Sequence, residues 1–180
     1  QNSNHQVILA TASVQIKDRS GRFQVARALL DSGSQVNLIT EEIAQRLYLN
    51  KTDSELSIVG IENNSRKITS YELSGEFYVM KSIINKQPCV AIEKNHFGIP
   101  SNIALADPEF DRPQRIDFLI GADCFFELMS IGQIKLGPSL PTFQKTLLGW
   151  IVSGKCECNN LLDLRECHHH KFRRKPRFLN

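Results

Sequence analysis

The feature that most constrains this chain is a single aspartate between two apolar runs. The run that ends at Leu30 is followed by Asp31, a Ser-Gly-Ser turn covers residues 32–34, and a second apolar run covers Val36–Ile39. Apolar runs of about four to eight residues between turn residues are typical of buried strands. Asp31 is therefore predicted at the tip of a tight loop between two buried strands. A carboxylate there is unfavourable unless the protein uses it, so Asp31 is the first candidate functional residue.

Composition and charge separate a body from a tail. The chain has 180 residues, of which 41% are hydrophobic, enough for one domain with a sizeable core. From Lys155 onward, seven Lys and Arg face three Asp and Glu, so the tail carries +4 and the preceding 154 residues carry −1. No apolar run approaches the roughly 18 residues of a membrane span. Five Cys, an odd number, without a secretory signal indicate reduced thiols in an intracellular setting.

The pattern along the body is mostly that of β-strands, with two short helices. Thr40 is predicted to cap a helix that ends near residues 49–50, because Glu41 and Glu42 would occupy its first turn. The residues between 81 and 115 are less regular, and a loop segment of this length is a candidate for shaping a binding cleft. The predicted strands are 6–16, 23–30, 36–39, 55–61, 66–78, 90–92, 118–120, 131–136 and 142–152, with a second helix at 122–129.

Several stretches resemble a known family. Leu29 to Ser34 (Leu-Leu-Asp-Ser-Gly-Ser) resembles the active-site loop of retropepsin-like aspartic proteases. These enzymes have a second marker about a hundred residues later, an apolar run that ends in Gly before a helix, and Leu119-Ile120-Gly121 fits it. The stretches 105–108 (Leu-Ala-Asp-Pro) and 148–154 (Leu-Gly-Trp-Ile-Val-Ser-Gly) narrow the resemblance to the protease segment of BEL/Pao-type LTR retrotransposon polyproteins.

The resemblance implies a fold and a domain organisation. It covers residues 6–155 and implies an all-β, closed retropepsin-like barrel with two short helices and one flap hairpin per chain. Residues 1–5 are predicted to fray, and residues 156–180 form a basic tail or polyprotein linker that contains Cys and His. The implied flap includes Val59, Gly60, Ile61, Glu62, Asn63, Asn64 and Ser65. From the residues alone, this segment is a surface hairpin with turn chemistry at its tip.

The chemistry of an aspartic protease requires two carboxylates. Held about 3 Å apart, they share one proton, and together they activate a water molecule against a peptide carbonyl. The chain has one Asp-Ser-Gly; Asp117 lacks a following Ser/Thr-Gly, and Asp123 is better explained as an acid in the first turn of a helix. The second carboxylate is therefore expected from Asp31 of a second copy, in a homodimer with the active site on its two-fold axis.

The neighbours of Asp31 have expected roles in this dimer. Ser32 supplies a hydroxyl that can bond to the partner loop, and Gly33 lets the backbone turn tightly and approach substrate. Ser34 can bond the outer carboxylate oxygen or remain a turn hydroxyl. Retroviral relatives often have an ion pair at the positions that hold Gln35 and Ala122 here, so the dimer must be held by other contacts.

The resulting prediction is a homodimeric aspartic endopeptidase that needs no cofactor or metal and processes its own retrotransposon polyprotein, in the cytoplasm or within virus-like particles. The alternative is a catalytically silent dimerisation or peptide-binding module of the same fold. Two alternatives also stay open for the tail. Cys156, Cys158, Cys167 and His168 could bind Zn²⁺ or belong to a disordered junction, and residues 171–177 could contact RNA weakly and nonspecifically or form a solvated linker.

Overall fold

The structure is a computed structural model, and it describes residues 5–49, 55–60, 70–74 and 76–157. In these ranges the protein is mostly β, with two short α-helices and a 3-10 turn at Lys94–Phe97. The elements in chain order are β1 (His5–Ile8), β2 (Thr11–Lys17), β3 (Phe23–Leu30), β4 (Asn37–Thr40), α1 (Glu41–Arg46), β5 (Glu55–Gly60), β6 (Ser70–Ser74), β7 (Phe77–Met80), β8 (Phe118–Ile120), α2 (Ala122–Leu128), β9 (Met129–Lys135), β10 (Thr142–Thr146) and β11 (Gly149–Glu157).

The described strands form two sheets. The larger sheet is mixed and has the order β6-β5-β2-β3-β8-β4-β7, whereas the smaller one is antiparallel with the order β1-β11-β10-β9. The predicted closed barrel is not found among these strands. The chain changes sheet at Leu9 and Ala10, so that β1 pairs with β11 while β2 pairs with β3 and β5. The strands that would have to complete one ring are therefore divided between two open sheets.

Three apolar clusters fill the interior, the smallest of them formed by Leu29, Ile116 and Leu119. The largest lies between the sheets and the two helices, and it includes Val14, Ile16, Ile39, Ile43, Ile58, Phe118, Ile120, Leu128 and Ile151. The second packs one face of the smaller sheet against the irregular segment after β7, and it includes Ile8, Phe97, Phe110, Phe143, Val152 and Cys156. The segment from residue 81 to 117 is therefore anchored by a core of its own, although it contains little regular structure.

Local sequence signals explain several element boundaries. The predicted strand 23–30 is confirmed, and so is the Thr40 cap, whose hydroxyl oxygen accepts the Ile43 N–H at 3.4 Å. Helix α1 ends at Arg46, earlier than predicted, because Tyr48 adopts a φ of 56°, a left-handed conformation that a helix cannot include.

Four strand predictions are wrong. Residues 6–16 are divided between β1 and β2, and the described part of 66–78 is divided between β6 and β7, which pair with different strands. Residues 90–92 form no strand, and residues 142–152 form the hairpin β10–β11 instead of one strand. The turn is closed by Thr146, whose hydroxyl donates to the Gly149 carbonyl at 2.7 Å and accepts the Leu148 N–H at 3.1 Å.

Neither helix of the described chain is long and apolar enough to cross a membrane.

Candidate active site

Asp31 lies directly after β3, half-buried in a tight loop that leads to β4. Its backbone N–H donates to the Ile120 carbonyl at 3.0 Å, which ties the start of the loop to β8. Its carboxylate oxygen Oδ1 accepts the Gly33 N–H at 2.9 Å, so the side chain is held against its own turn. The structure thus places Asp31 at the tip of a loop between two strands, as the sequence predicts.

The second marker, Leu119-Ile120-Gly121, lies beneath this loop. Strand β8 runs between the two strands that flank Asp31, parallel to β3 and antiparallel to β4. After β8 the Ala122 N–H donates to the Ser34 carbonyl at 2.8 Å. A Cβ at Gly121 would lie 2.5 Å from the Val36 carbonyl oxygen, so only glycine fits between β8 and the loop. Two stretches about ninety residues apart therefore form one unit.

Asn37 is a supporting residue that the sequence analysis missed. It is fully buried at the start of β4. Its Oδ1 accepts the Gly121 N–H at 2.7 Å, and its Nδ2 donates to Asp123 Oδ2 at 2.9 Å. Asn37 therefore links β4 to the β8–α2 junction beneath the Asp31 loop. The available signal was one amide side chain inside an otherwise apolar strand, since a buried amide requires partners.

The two serines of the loop differ in their contacts. Ser32 is exposed, and it lines the cleft that contains Asp31. Ser34 was a candidate to bond the carboxylate, but its hydroxyl donates instead to the Val36 carbonyl at 2.8 Å and accepts the Val36 N–H at 3.4 Å. In the single chain the Ser34 hydroxyl thus stabilises the turn rather than the carboxylate of Asp31.

Asp31 lines a cleft of about 720 Å³ between the loop and the smaller sheet. One side is apolar and includes Ile83 and Ile84, so the irregular segment after β7 contributes to the cleft. The other side is formed by side chains on one face of β9, β10 and β11. The lining residues are Leu9, Ala10, Leu29, Leu30, Asp31, Ser32, Ile83, Ile84, Leu119, Phe125, Met129, Gln133, Lys135, Thr142, Gln144, Ile151 and Ser153.

The other two candidate carboxylates are engaged elsewhere. Asp117 lines a separate cleft of about 360 Å³, where its Oδ2 accepts the Arg27 N–H at 2.8 Å. Burial raises the pKa of Asp117 above its ordinary value, against the opposing effect of that hydrogen bond. Asp123 lies in the first turn of α2, as predicted, and bonds to Asn37. Asp31 is thus the only carboxylate on the cleft wall within the described chain.

The two stretches that narrowed the resemblance also meet in space. The backbone of Ala106 accepts the Ser13 N–H at 2.8 Å and donates to the Trp150 carbonyl at 2.9 Å. The adjacent Asp107 is buried and accepts the Thr11 hydroxyl at 2.6 Å and Arg27 Nε at 2.7 Å. These contacts of Asp107 attach the irregular segment to β2 through Thr11 and to β3 through Arg27.

Only part of the predicted flap and tail can be placed. Val59 and Gly60 end β5, which pairs with β2 and β6, whereas Ile61–Ser65 lie outside the described residues. Strand β11 continues through Glu157, and the tail from residue 158 lies outside the described residues. Cys156, a candidate zinc ligand, is 1% exposed and packs in the second apolar cluster. The described residues contain no group of three or more His, Cys, Asp and Glu side chains that could hold a metal ion.

The chain matches no family model, and no curated protein matches it significantly.

Proposed function

We propose that this chain is one subunit of a retropepsin-like aspartic endopeptidase, in which Asp31 of two copies forms the catalytic dyad. The observation that carries the proposal is the joining of the Asp31 loop to the Leu119–Gly121 marker. The sequence resemblance treats these stretches as separate markers, and their contact through Ile120, Gly121 and Ala122 supports their interpretation as parts of one active-site loop.

The carboxylates of the cleft support the requirement for a second copy. Proton-sharing amide hydrolysis needs two carboxylates, and the described cleft wall supplies one. Asp31 Oδ1 is occupied by the Gly33 N–H, whereas Oδ2 has no hydrogen-bond partner among the described residues. That oxygen is the one available to a water molecule or to the carboxylate of a second subunit.

In the proposed mechanism, a water molecule lies between the two Asp31 carboxylates. The ionised carboxylate removes a proton from this water as it attacks the scissile carbonyl carbon, and the protonated one donates a hydrogen bond to the carbonyl oxygen. The tetrahedral intermediate then collapses with transfer of a proton to the leaving amine. Because the dyad must hold one proton, activity is expected to be highest at acidic to mildly acidic pH.

The substrate is proposed to be an extended peptide in the cleft that contains Asp31. Ile83, Ile84 and Leu119 on the apolar wall favour an apolar residue beside Asp31. The resemblance further suggests that the natural substrate is the polyprotein of a retrotransposon, processed in the cytoplasm or within virus-like particles.

The test compares cleavage of an unstructured protein by the wild type, Asp31→Asn and Asp111→Asn at about pH 5 to 6. Asp111 forms an ion pair with Lys94 at 2.9 Å and does not line the cleft, so its variant is the matched control. We expect Asp31→Asn to reduce the rate at least roughly a hundredfold, within the range attributed to an acid–base group. Equal rates for Asp31→Asn and the wild type would exclude Asp31 from the mechanism.

Mixing the wild type with Asp31→Asn at constant total protein tests the shared site. If each active site needs an Asp31 from both copies, mixed dimers are inactive, and activity falls as the square of the wild-type fraction. A linear fall would indicate that one copy suffices. A confirmed dimer that neither cleaves nor depends on Asp31 would favour the silent peptide-binding module.

A further inference from the structure

The cleft wall opposite the Asp31 loop is a polar surface formed by the smaller sheet. The register pairs Thr142 with Lys135 on one side and with Ser153 on the other, so these three side chains lie in one row on the same face. Gln144 stands in the next row between Gln133 and Ile151. All of these residues line the cleft that contains Asp31.

Most of the polar groups on this wall are already engaged. Gln144 Nε2 donates to the Ser130 carbonyl at 2.8 Å and to the Lys145 carbonyl at 3.0 Å. The Ser153 hydroxyl donates to the Ile8 carbonyl at 3.2 Å. Lys135 pairs with Thr142 through the sheet, but its side chain has no hydrogen bond or ion pair with another residue in the described ranges, so its ammonium group is available to a ligand.

The charges of the cleft make this ammonium group significant. Asp31 and Lys135 are the only charged side chains among the described lining residues. A carboxylate on a bound peptide is therefore attracted near Lys135 and repelled near Asp31. Because Lys135 is exposed, such an ion pair is expected to be weakened by salt.

We propose that the cleft selects peptides that carry an Asp or Glu at the position where the bound peptide passes Lys135, and that Lys135 is a specificity-determining residue. The inference rests on the proposed function in that it takes the cleft to be a peptide site. It adds a substrate class, in which an apolar residue beside Asp31 is combined with an acidic residue at a distance from it.

The test uses peptides with a fixed apolar cleavage site and Glu, Gln or Lys placed in turn at each surrounding position. The full chain is assayed as the wild type, Lys135→Gln, Lys135→Glu and Lys145→Gln. Lys145 is the matched control, because it is exposed on the adjacent strand but directed to the opposite face of the same sheet. Lys135 is exposed on an edge strand, so its variants are expected to fold.

We expect the wild type to prefer Glu over Gln at one position by about two- to fivefold in kcat/KM, the range of a partly exposed ion pair. Lys135→Gln should abolish this preference, Lys135→Glu should reverse it in favour of Lys, and Lys145→Gln should leave it unchanged. Cleavage that depends on Asp31 but shows no preference for an acidic residue would overturn the inference and leave the proposed function intact.

A binding measurement separates the two proposals. Fluorescently labelled Glu and Lys peptides are titrated into Asp31→Asn and into the double variant Asp31→Asn/Lys135→Gln, so that cleavage is not required. Preferential binding of the Glu peptide that disappears with Lys135 supports the charge selection even if the wild type cleaves nothing. Equal affinity for both peptides, or no binding, together with no acidic preference in cleavage, overturns the inference.

Discussion

Replacement of Gly121 by Ala tests whether the Asp31 loop depends on the backbone contact with β8. The new Cβ would lie 2.5 Å from the Val36 carbonyl oxygen and 2.9 Å from the Ser34 carbonyl oxygen. Gly121 has a φ of −83°, which alanine adopts readily, so the clash is the only obstacle. Because real Cβ atoms essentially never approach closer than 3.0 Å, the loop or β8 must move by about 0.5 Å.

The expected losses of stability and of activity both follow from this displacement. Overpacking at a well-packed site destabilises by about 1 to 3 kcal/mol. For a chain of this size, that corresponds to a fall in Tm of about 2 to 12 °C. A misplacement of about 1 Å can reduce catalysis roughly a hundredfold, so half of it is expected to reduce kcat/KM about tenfold. Thermal unfolding and peptide cleavage measure the two effects separately.

Gly137→Ala is the matched control for this experiment. A Cβ at Gly137 would contact only the flexible side chain of Leu140, at 3.5 Å, and the position is remote from Asp31 in the chain. We expect Gly137→Ala to retain the Tm and the cleavage rate of the wild type. If Gly121→Ala changes neither quantity more than Gly137→Ala does, the loop does not depend on this contact and the reasoning is refuted.

Two further predictions concern stability. Arg27→Met leaves the buried Asp107 without its ion-pair partner and should destabilise by about 3 to 5 kcal/mol in urea unfolding; a loss below about 1 kcal/mol would show that the pair is not important. The Ser20 hydroxyl and the Arg22 N–H lower the pKa of Asp18 from 3.8 to about 2. The stabilisation of the folded state by the ionised Asp18 carboxylate is therefore fully present above pH 3.8 and is lost as the pH falls towards 2. Asp18→Asn should therefore flatten the decline of stability between these pH values, and an unchanged decline would contradict this account.

The sequence predicted those parts of the fold that depend on local signals. Strand 23–30 is an apolar run that ends at a turn, and Thr40 followed by two acids is a typical helix start. The turn between β10 and β11 was missed because Leu147 and Leu148 give no turn signal, and the turn depends on the Thr146 hydroxyl. The division into two sheets was missed because it depends on which distant strands pair.

The candidate site was predicted to a similar extent. Asp31 and Gly121 could be found because a carboxylate and a glycine at the ends of apolar runs are visible in the sequence. Asn37 was not found, since its importance depends on groups about 85 positions away, the Gly121 N–H and the Asp123 carboxylate. The role of Ser34 could not be decided either, because two acceptors were within reach of the same short side chain.

The contacts of the loop also bear on how a dimer would work. The retroviral proteases that the sequence resembles often have an ion pair at the positions of Gln35 and Ala122, but here the loop is held by backbone and amide groups of its own chain. In the proposed dimer, each copy would therefore contain a formed Asp31 loop before it meets a second one. Association would have to bring two Asp31 side chains together but not build the loops that carry them. Activity should then depend on protein concentration, whereas hydrogen-exchange protection of the Asp31 and Ala122 amides should be the same in dilute and concentrated protein.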